Sequence, residues 1–223
     1  MEPRILVLDG NQRASLAAVR SLGAKGLWVA VGESAPESLA GCSRYCRQRV
    51  AYSDPFHSPR LFFDDILQQI ESLGISFLLP ITEATTYVLL RYRDELPDHI
   101  VLPFPSTEAV EQLANKNELF HLALEKAVPI PGTVFCQDAE EGLKALNGVE
   151  RFPVVLKPFK SKVLDGDSIE STQVIIANSL EEARAALTSN TFFRFPFSIQ
   201  SFINGTGQGV FALFDHGNPV CYF

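Results

Sequence analysis

The sequence predicts an α/β fold in two parts, a parallel-sheet unit followed by a smaller α+β layer, and three observations carry that prediction. Ile5 to Leu8 and Trp28 to Val31 are short apolar runs on either side of an amphipathic stretch, the pattern of a β-α-β crossover and hence of parallel strands. Past Pro105 the rhythm changes to helix, helix, strand, with turn signals between antiparallel pieces. A third apolar run, Val154-Val155-Leu156, lies between Pro153 and Pro158 and reads as a buried strand that ends on Lys157.

Taken in order, Asp9-Gly10-Asn11 is turn chemistry, and Ala14, Ala17, Ala18 and Leu22 mark one face of a helix that ends near Gly23 or Gly26. Ser34 to Asp54 mixes loop, a short helix and a strand over Arg49 to Tyr52. Ser58-Pro59 starts a helix, serine as N-cap and proline at the first helical position, with Leu61, Phe62, Ile66, Leu67 and Ile70 facing inward and Gly74 as the stop. Phe77 to Pro80 is the next strand, Thr82-Glu83 opens a helix through Val88, Leu89 and Leu90, and Val101-Leu102 closes the first unit. In the second unit Ser106 caps a helix bearing Val110 and Leu113, and Asn115-Lys116-Asn117 opens another carrying Leu119, Phe120, Ala123 and Leu124. Thr133 to Phe135 is a strand, and Asp138 with Glu141, then Ser179 with Glu182, are capping boxes for two further helices. Asp165-Gly166 is a hairpin signal that folds the lysine-bearing segment back through Ile169 to Val174, Ile175 and Ile176. Phe197 to Ile203 alternates as a strand, and Val210 to Phe214 pairs with Pro219 to Phe223 across His216-Gly217-Asn218. Positive φ in a turn accounts for at least two of Gly205, Gly207 and Gly209.

Composition narrows the function. A chain of 223 residues with 46% hydrophobic residues buries a real core, and a formal charge of −7 argues against a general nucleic-acid binder. No apolar run approaches the roughly 20 residues of a membrane span, so the cytoplasm is the expected address and no membrane partner is expected. Cys42, Cys46, Cys136 and Cys221 read as reduced thiols without a zinc spacing. The four histidines show no metal spacing, and Ser15, Ser161 and Ser168 sit in no nucleophile-elbow setting.

Lys157 sits where a strand leaves the core, with Lys160 and Lys162 close behind, so three ammonium groups are expected to converge on a phosphate. The alternative for the same stretch is lysines in solvent. The first βα turn holds only Gly10 of the G-x-G-x-x-G fingerprint, which speaks against an oxidoreductase built on dinucleotide binding.

Lys116 at a helix start, Ile130-Pro131 before a strand, Phe152-Pro153-Val154-Val155-Leu156-Lys157-Pro158, and Gln200-Ser201-Phe202-Ile203 running into Gly205, Gly207 and Gly209 form an ordered set. That order resembles the ATP-grasp superfamily, in the branch similar to the large subunit of carbamoyl-phosphate synthase and the carboxylate-amine ligases. The resemblance implies a Rossmann-like pre-ATP-grasp parallel-sheet domain over 1–105 and a partial α+β ATP-grasp domain over 106–223. It implies ATP as cofactor, with Lys116 and Lys157 reaching its phosphates and Gln200, Ser201, Phe202 and Ile203 forming the linker between two ATP-clamping lobes. Lys160 and Lys162 stand where the family carries a glycine-rich flap. The magnesium ligands of the family, a carboxylate and a Glu-x-Asn pair, fall beyond Phe223, so Mg2+ is expected only of a longer parent.

The implied parent is an ATP-dependent ligase that activates a small-molecule carboxylate as an acyl phosphate. The 223-residue chain itself is expected to be inactive. The alternative is a non-catalytic nucleotide-binding or interaction module on the same fold. Thr82, Glu83 and Arg13, at strand carboxyl ends, are candidates for the acceptor side, with helix capping as the plainer role for the first two. The apolar ending Pro219 to Phe223 leads to two further expectations, a chain that stops in mid-domain and a homo-oligomer through Val210 to Phe223.

Overall fold

The computed structural model describes residues 2–166 and 168–222. In the first unit β1 (Arg4–Val7), α1 (Arg13–Ala24), β2 (Trp28–Glu33), β3 (Gln48–Ala51), α2 (Pro59–Leu73), β4 (Phe77–Leu79) and α3 (Glu83–Arg91) build a parallel sheet of order β3-β2-β1-β4. The apolar strands are buried on both faces. Ile5, Val7, Val29 and Val31 pack on the α1 side, while Leu6, Leu8 and Ala30 pack against α2 and α3 with Phe62, Ile66 and Val88. This two-sided burial is why the strands read as continuous runs rather than alternations.

Helix α1 turns differently from the alanine face expected. Ser15, Leu16, Ala18, Val19 and Leu22 face inward, and Ala14 and Ala17 face solvent. The inward serine is satisfied by its own turn, since its hydroxyl donates to Leu8 O and Asp9 O. In α2 Phe63 takes the inward place and Leu61 is 57% exposed. Pro59 occupies the first turn of that helix as expected, but the Ser58 hydroxyl makes no capping bond. Gly74 ends it in the left-handed region, at φ 62°.

In the second unit α4 (Thr107–Ala114) and α5 (Lys116–Glu125) precede β5 (Thr133–Cys136), α6 (Ala139–Ala145) and β6 (Val154–Pro158). The hairpin β7 (Lys162–Asp165) and β8 (Ser168–Ser171) follows, then β9 (Ile175–Ala177), α7 (Leu180–Ser189) and β10 (Phe197–Ser201). Strands β5-β10-β6-β9 form one antiparallel sheet. Its core is Leu146, Leu156, Leu187, Phe193, Phe197 and Ile199. Both capping boxes form, with Asp138 Oδ1 accepting from Glu141 N and Ser179 Oγ from Glu182 N. The return carboxylates of Glu141 and Glu182 accept one residue before the cap, from Gln137 N and Asn178 N.

Three expectations change here. The hairpin ends at Ser171, and Ile175 and Ile176 belong to a separate strand beside β6. Strand β10 stops at Ser201 and is buried from Phe197 to Gln200, because it is a central strand with neighbours on both edges. None of Gly205, Gly207 and Gly209 adopts positive φ, and a Cβ at any of them would meet nothing within 4 Å.

A last hairpin, β11 (Ala212–Asp215) and β12 (Asn218–Tyr222), turns through His216 (φ 47°) and Gly217 (φ 81°), the pair of left-handed residues that a tight two-residue turn needs. Phe223, the expected end of its second strand, lies outside the described residues.

Candidate functional site

Lys116 and Lys157 come from different elements and meet because the backbone ties those elements together. Asn115 caps α5, its Oδ1 accepting from Asn117 N at 3.0 Å and Glu118 N at 3.4 Å. Lys116 N donates to Phe159 O at 2.7 Å, which pins the start of α5 to the end of β6. The Lys116 ammonium donates to Ser161 Oγ at 3.3 Å, and Lys157 Nζ lies 5.3 Å from the ring centroid of Phe120, one turn further along α5. Burial lowers the Lys116 pKa; the Lys157 charge pushes it further down and Glu83 pulls it back. The first backbone N–H groups of α5 are all taken, by Phe159 O and by Asn115. The helix terminus thus has no free donors for an anion, and the groups it leaves to hold one here are the two ammonium groups.

The other two lysines turn the opposite way. Lys160 pairs with Glu111 of α4 and sits 5.4 Å from the Tyr87 ring centroid. Lys162 donates to Ser171 Oγ at 2.7 Å and lies 5.0 Å from the Phe56 ring centroid. The cause is the docking of the β7–β8 hairpin on the first unit. Ile169 is buried in the core of that unit, its N–H donates to Phe56 O at 2.8 Å, and Arg91 Nη1 donates to Gly166 O at 3.3 Å. The expected cluster of three cations at the strand end is thus divided, Lys157 on the α5 side and Lys160 and Lys162 against the first unit.

At the end of β10, Gln200 is 4% exposed and spends its amide on Thr133 Oγ1 at 3.1 Å, while Ser201 N donates to Gly132 O at 2.8 Å. Both bonds fasten β10 to β5. Phe202 and Ile203 follow in irregular backbone, 41% and 67% exposed, as apolar surface at the sheet end.

A cavity of about 470 Å3 opens where β1, β2 and β4 end, lined among others by Asp9, Tyr52, Phe56, Thr82, Glu83 and Lys162. Asp9 organises it. At φ 57° its carboxylate turns toward the start of α3 and accepts from Ile81 N and Thr82 N, both at 2.8 Å, from Thr82 Oγ1 at 3.0 Å and from Thr85 Oγ1 at 2.7 Å. The N-terminus of α3 is thereby filled by the protein's own anion. Asp9 N–H donates to Tyr52 Oη at 3.0 Å, and burial, with the Asp9 charge, pushes the Tyr52 phenol well above its ordinary range. Thr82 and Glu83 line this cavity as expected, and Thr82 also caps α3; Arg13 opens α1 in solvent and does not line it. In the sequence Asp9 reads only as a turn residue. The available signal was Thr82 and Thr85 at the start of a helix that follows a strand end.

Among the described residues no group of three or more His, Cys, Asp or Glu side chains is placed to hold a metal ion. No helix among them is long and apolar enough to cross a membrane.

No protein-family model and no curated protein matches this chain. Solved structures do match in fold. An L-amino acid ligase from Bacillus licheniformis superposes with a TM-score of 0.62 at 16% identity, over 92% of this chain and 45% of that one. An N5-carboxyaminoimidazole ribonucleotide synthetase from Thermus thermophilus superposes at 0.62 and 18%, over 90% of this chain and 47% of that one. A carboxyaminoimidazole ribonucleotide synthase from Aspergillus clavatus, complexed with ATP, gives 0.61 and 18%, over 91% and 47%. The fold is that of a pre-ATP-grasp parallel-sheet unit followed by ATP-grasp elements, and the chain spans about half the length of the structures it matches.

Proposed function

We propose that this chain is the nucleotide-binding portion of an ATP-dependent carboxylate-amine ligase, or a related ligase, that works through an acyl phosphate. The observation that carries the proposal is the bond from Lys116 N to Phe159 O at 2.7 Å, which pins the start of α5 to the end of β6 and brings two lysines from different elements, Lys116 and Lys157, together at α5. A lysine is a point charge on a flexible stem, suited to following a phosphate as it moves. Here Lys116 and Lys157 hold the phosphates, and the segment from Gln200 to Ile203 offers backbone groups to the adenine edge with Phe202 and Ile203 as apolar walls.

In the proposed reaction a carboxylate oxygen forms a bond to the γ-phosphorus, the bond from that phosphorus to the bridging oxygen breaks, and ADP leaves. An amine then attacks the acyl carbon and phosphate departs. Magnesium neutralises charge in such transfers when it is bound. The part proposed for Lys116, Lys157 and residues 200–203 is to bind and orient the nucleotide. The cavity around Asp9, Thr82 and Glu83, at the carboxyl ends of parallel strands, is the place for the acceptor.

The test is a titration of the chain with ATP beside Lys116→Ala and Lys157→Ala. Weak binding that each variant reduces further, with no hydrolysis, is the expected result. Equal affinity in all three proteins would overturn the reading, and ATP hydrolysis that disappears in Lys157→Ala would overturn the expectation of an inactive chain.

A further inference from the structure

Behind the β7–β8 hairpin, on the side away from Lys157, lies a cavity of about 440 Å3 between α3, α4 and the hairpin, within the usual size range of small-molecule sites. Tyr87 and Arg91 of α3 line it, with Thr107 and Glu111 of α4 and Lys160 and Lys162 from the hairpin segment. Glu111 is matched by Lys160. Arg91 and Lys162 have no carboxylate partner among the described residues, so the lining carries two uncompensated positive charges. Tyr87 is only 8% exposed, yet it lines the cavity and its hydroxyl makes no hydrogen bond among the described residues. A phenol on a largely buried side chain, left without a protein partner, has its donor to offer a guest.

We infer that this cavity binds the oxyanion of a small molecule, a carboxylate or a phosphate monoester, through the Arg91 guanidinium, the Lys162 ammonium and the Tyr87 hydroxyl. The chemistry suits each group. A guanidinium presents a fork that matches two oxygens of a carboxylate or phosphate, and the ammonium adds a mobile donor. Tyr87 serves as a neutral donor, because burial, with Glu83 and Glu111 nearby, pushes its phenol up to about 12. The carboxylate of Glu111 faces the same space and is held off the anion by its pairing with Lys160. A bound oxyanion joins Arg91 of the first unit to Lys162 of the hairpin, so it fastens the hairpin where Ile169 already docks it. Lys162 lines both this cavity and the one around Asp9, but neither Lys116 nor Lys157 lines this one, and the inference does not depend on the nucleotide reading.

Calorimetric titration of the 223-residue chain with inorganic phosphate, and separately with succinate, tests this against Arg91→Gln, Lys162→Gln, Tyr87→Phe and, as a control at an exposed lysine outside the cavity, Lys25→Gln. The expected result is binding of at least one anion, weakened about tenfold by Arg91→Gln and by Lys162→Gln, less by Tyr87→Phe, and changed by about twofold or less in Lys25→Gln. Binding of phosphate alone identifies a phosphoryl ligand, and binding of succinate alone a carboxylate. The inference is overturned if neither anion binds at millimolar concentration, or if Arg91→Gln and Lys162→Gln change binding no more than Lys25→Gln does. Arg91 and Lys162 are each tested singly, so one poorly folded variant leaves the other to decide. The nucleotide reading fails or stands separately, on the ATP titration of Lys157→Ala.

Discussion

Lys116 N donates to Phe159 O at 2.7 Å, so Lys116, which begins a helix, is held beside the end of the strand that carries Lys157 much later in the chain. Both side chains are partly withdrawn from water with no carboxylate bonded to either among the described residues. Such an arrangement costs stability in the absence of an anion, and binding an anion relieves it.

A pH dependence follows from that relationship. Lys116 has a folded pKa below its ordinary value of 10.5, so the unfolded chain holds this proton more tightly. Stability then carries the full penalty below the lowered folded value and recovers as pH rises from there toward 10.5. Lys116→Met is expected to raise the neutral-pH melting temperature by about a few degrees, with the gain fading above pH 10 or so. Thermal melts of both proteins across pH 7 to about 11 check this. A variant less stable than the wild type at pH 7 would show that Lys116 is not strained by its surroundings.

Asp9 predicts a different cost. Its carboxylate accepts two backbone and two hydroxyl hydrogens, and Asp9→Ala leaves those donors at the start of α3 without a partner while keeping a side chain at positive φ. The expected loss is about 3 kcal/mol by urea denaturation, and Asp9→Asn, which tolerates left-handed backbone and keeps one acceptor, should lose about half of that. Equal stability of Asp9→Ala and wild type would remove Asp9 from its central place.

How much of this was legible beforehand depended on the range of the interactions. The β-α-β unit, the Gly74 stop, the Thr82 and Ser106 caps and the two capping boxes are local, and the residues that make them stand within a few positions of each other. Lys116 and Lys157 are singled out in sequence by the order of several motifs together, and the structure ties their two elements through Lys116 N and Phe159 O. Asp9 was not, since its four donors lie more than 70 residues away and nothing near it in the chain shows them. The direction of Lys160 and Lys162 was equally hidden, because it follows from Ile169 entering the core of the other unit. A hairpin signal at Asp165-Gly166 says that the chain turns back, not what the hairpin lies against.

The β11–β12 hairpin predicts association. Val210, Phe211, Leu213, Phe214, Val220 and Tyr222 are all more than half exposed, a dense set of apolar side chains on a two-stranded sheet whose outer edges are unpaired among the described residues. Sedimentation velocity over a concentration series should show reversible self-association, and Phe211→Lys with Val220→Lys should suppress it by placing charges on that surface. A monomer at every concentration in the wild type would argue against this hairpin as a contact between copies.

Gly142 tests the packing that holds β10, and with it the segment 200–203 at its end. It lies in α6, where alanine would favour the helix by about 1 kcal/mol. A Cβ there would run into Phe197 Cζ and stand 3.0 Å from Leu187 Cδ1. Phe197 has no room to give way, being fully buried with its ring centroid 4.8 Å from that of Phe193. Overpacking of this kind costs about 1 to 3 kcal/mol, so the clash outweighs the gain in propensity and Gly142→Ala should be destabilised by about 1 kcal/mol or more. Gly148 is the control, because a Cβ there meets nothing within 4 Å and its substitution should leave the denaturation midpoint close to wild type. If Gly142→Ala proves more stable than the wild type, α6 stands further from β10 than this packing requires, and the support of the segment 200–203 must come from the bonds of Gln200 and Ser201 to the Gly132–Thr133 segment alone.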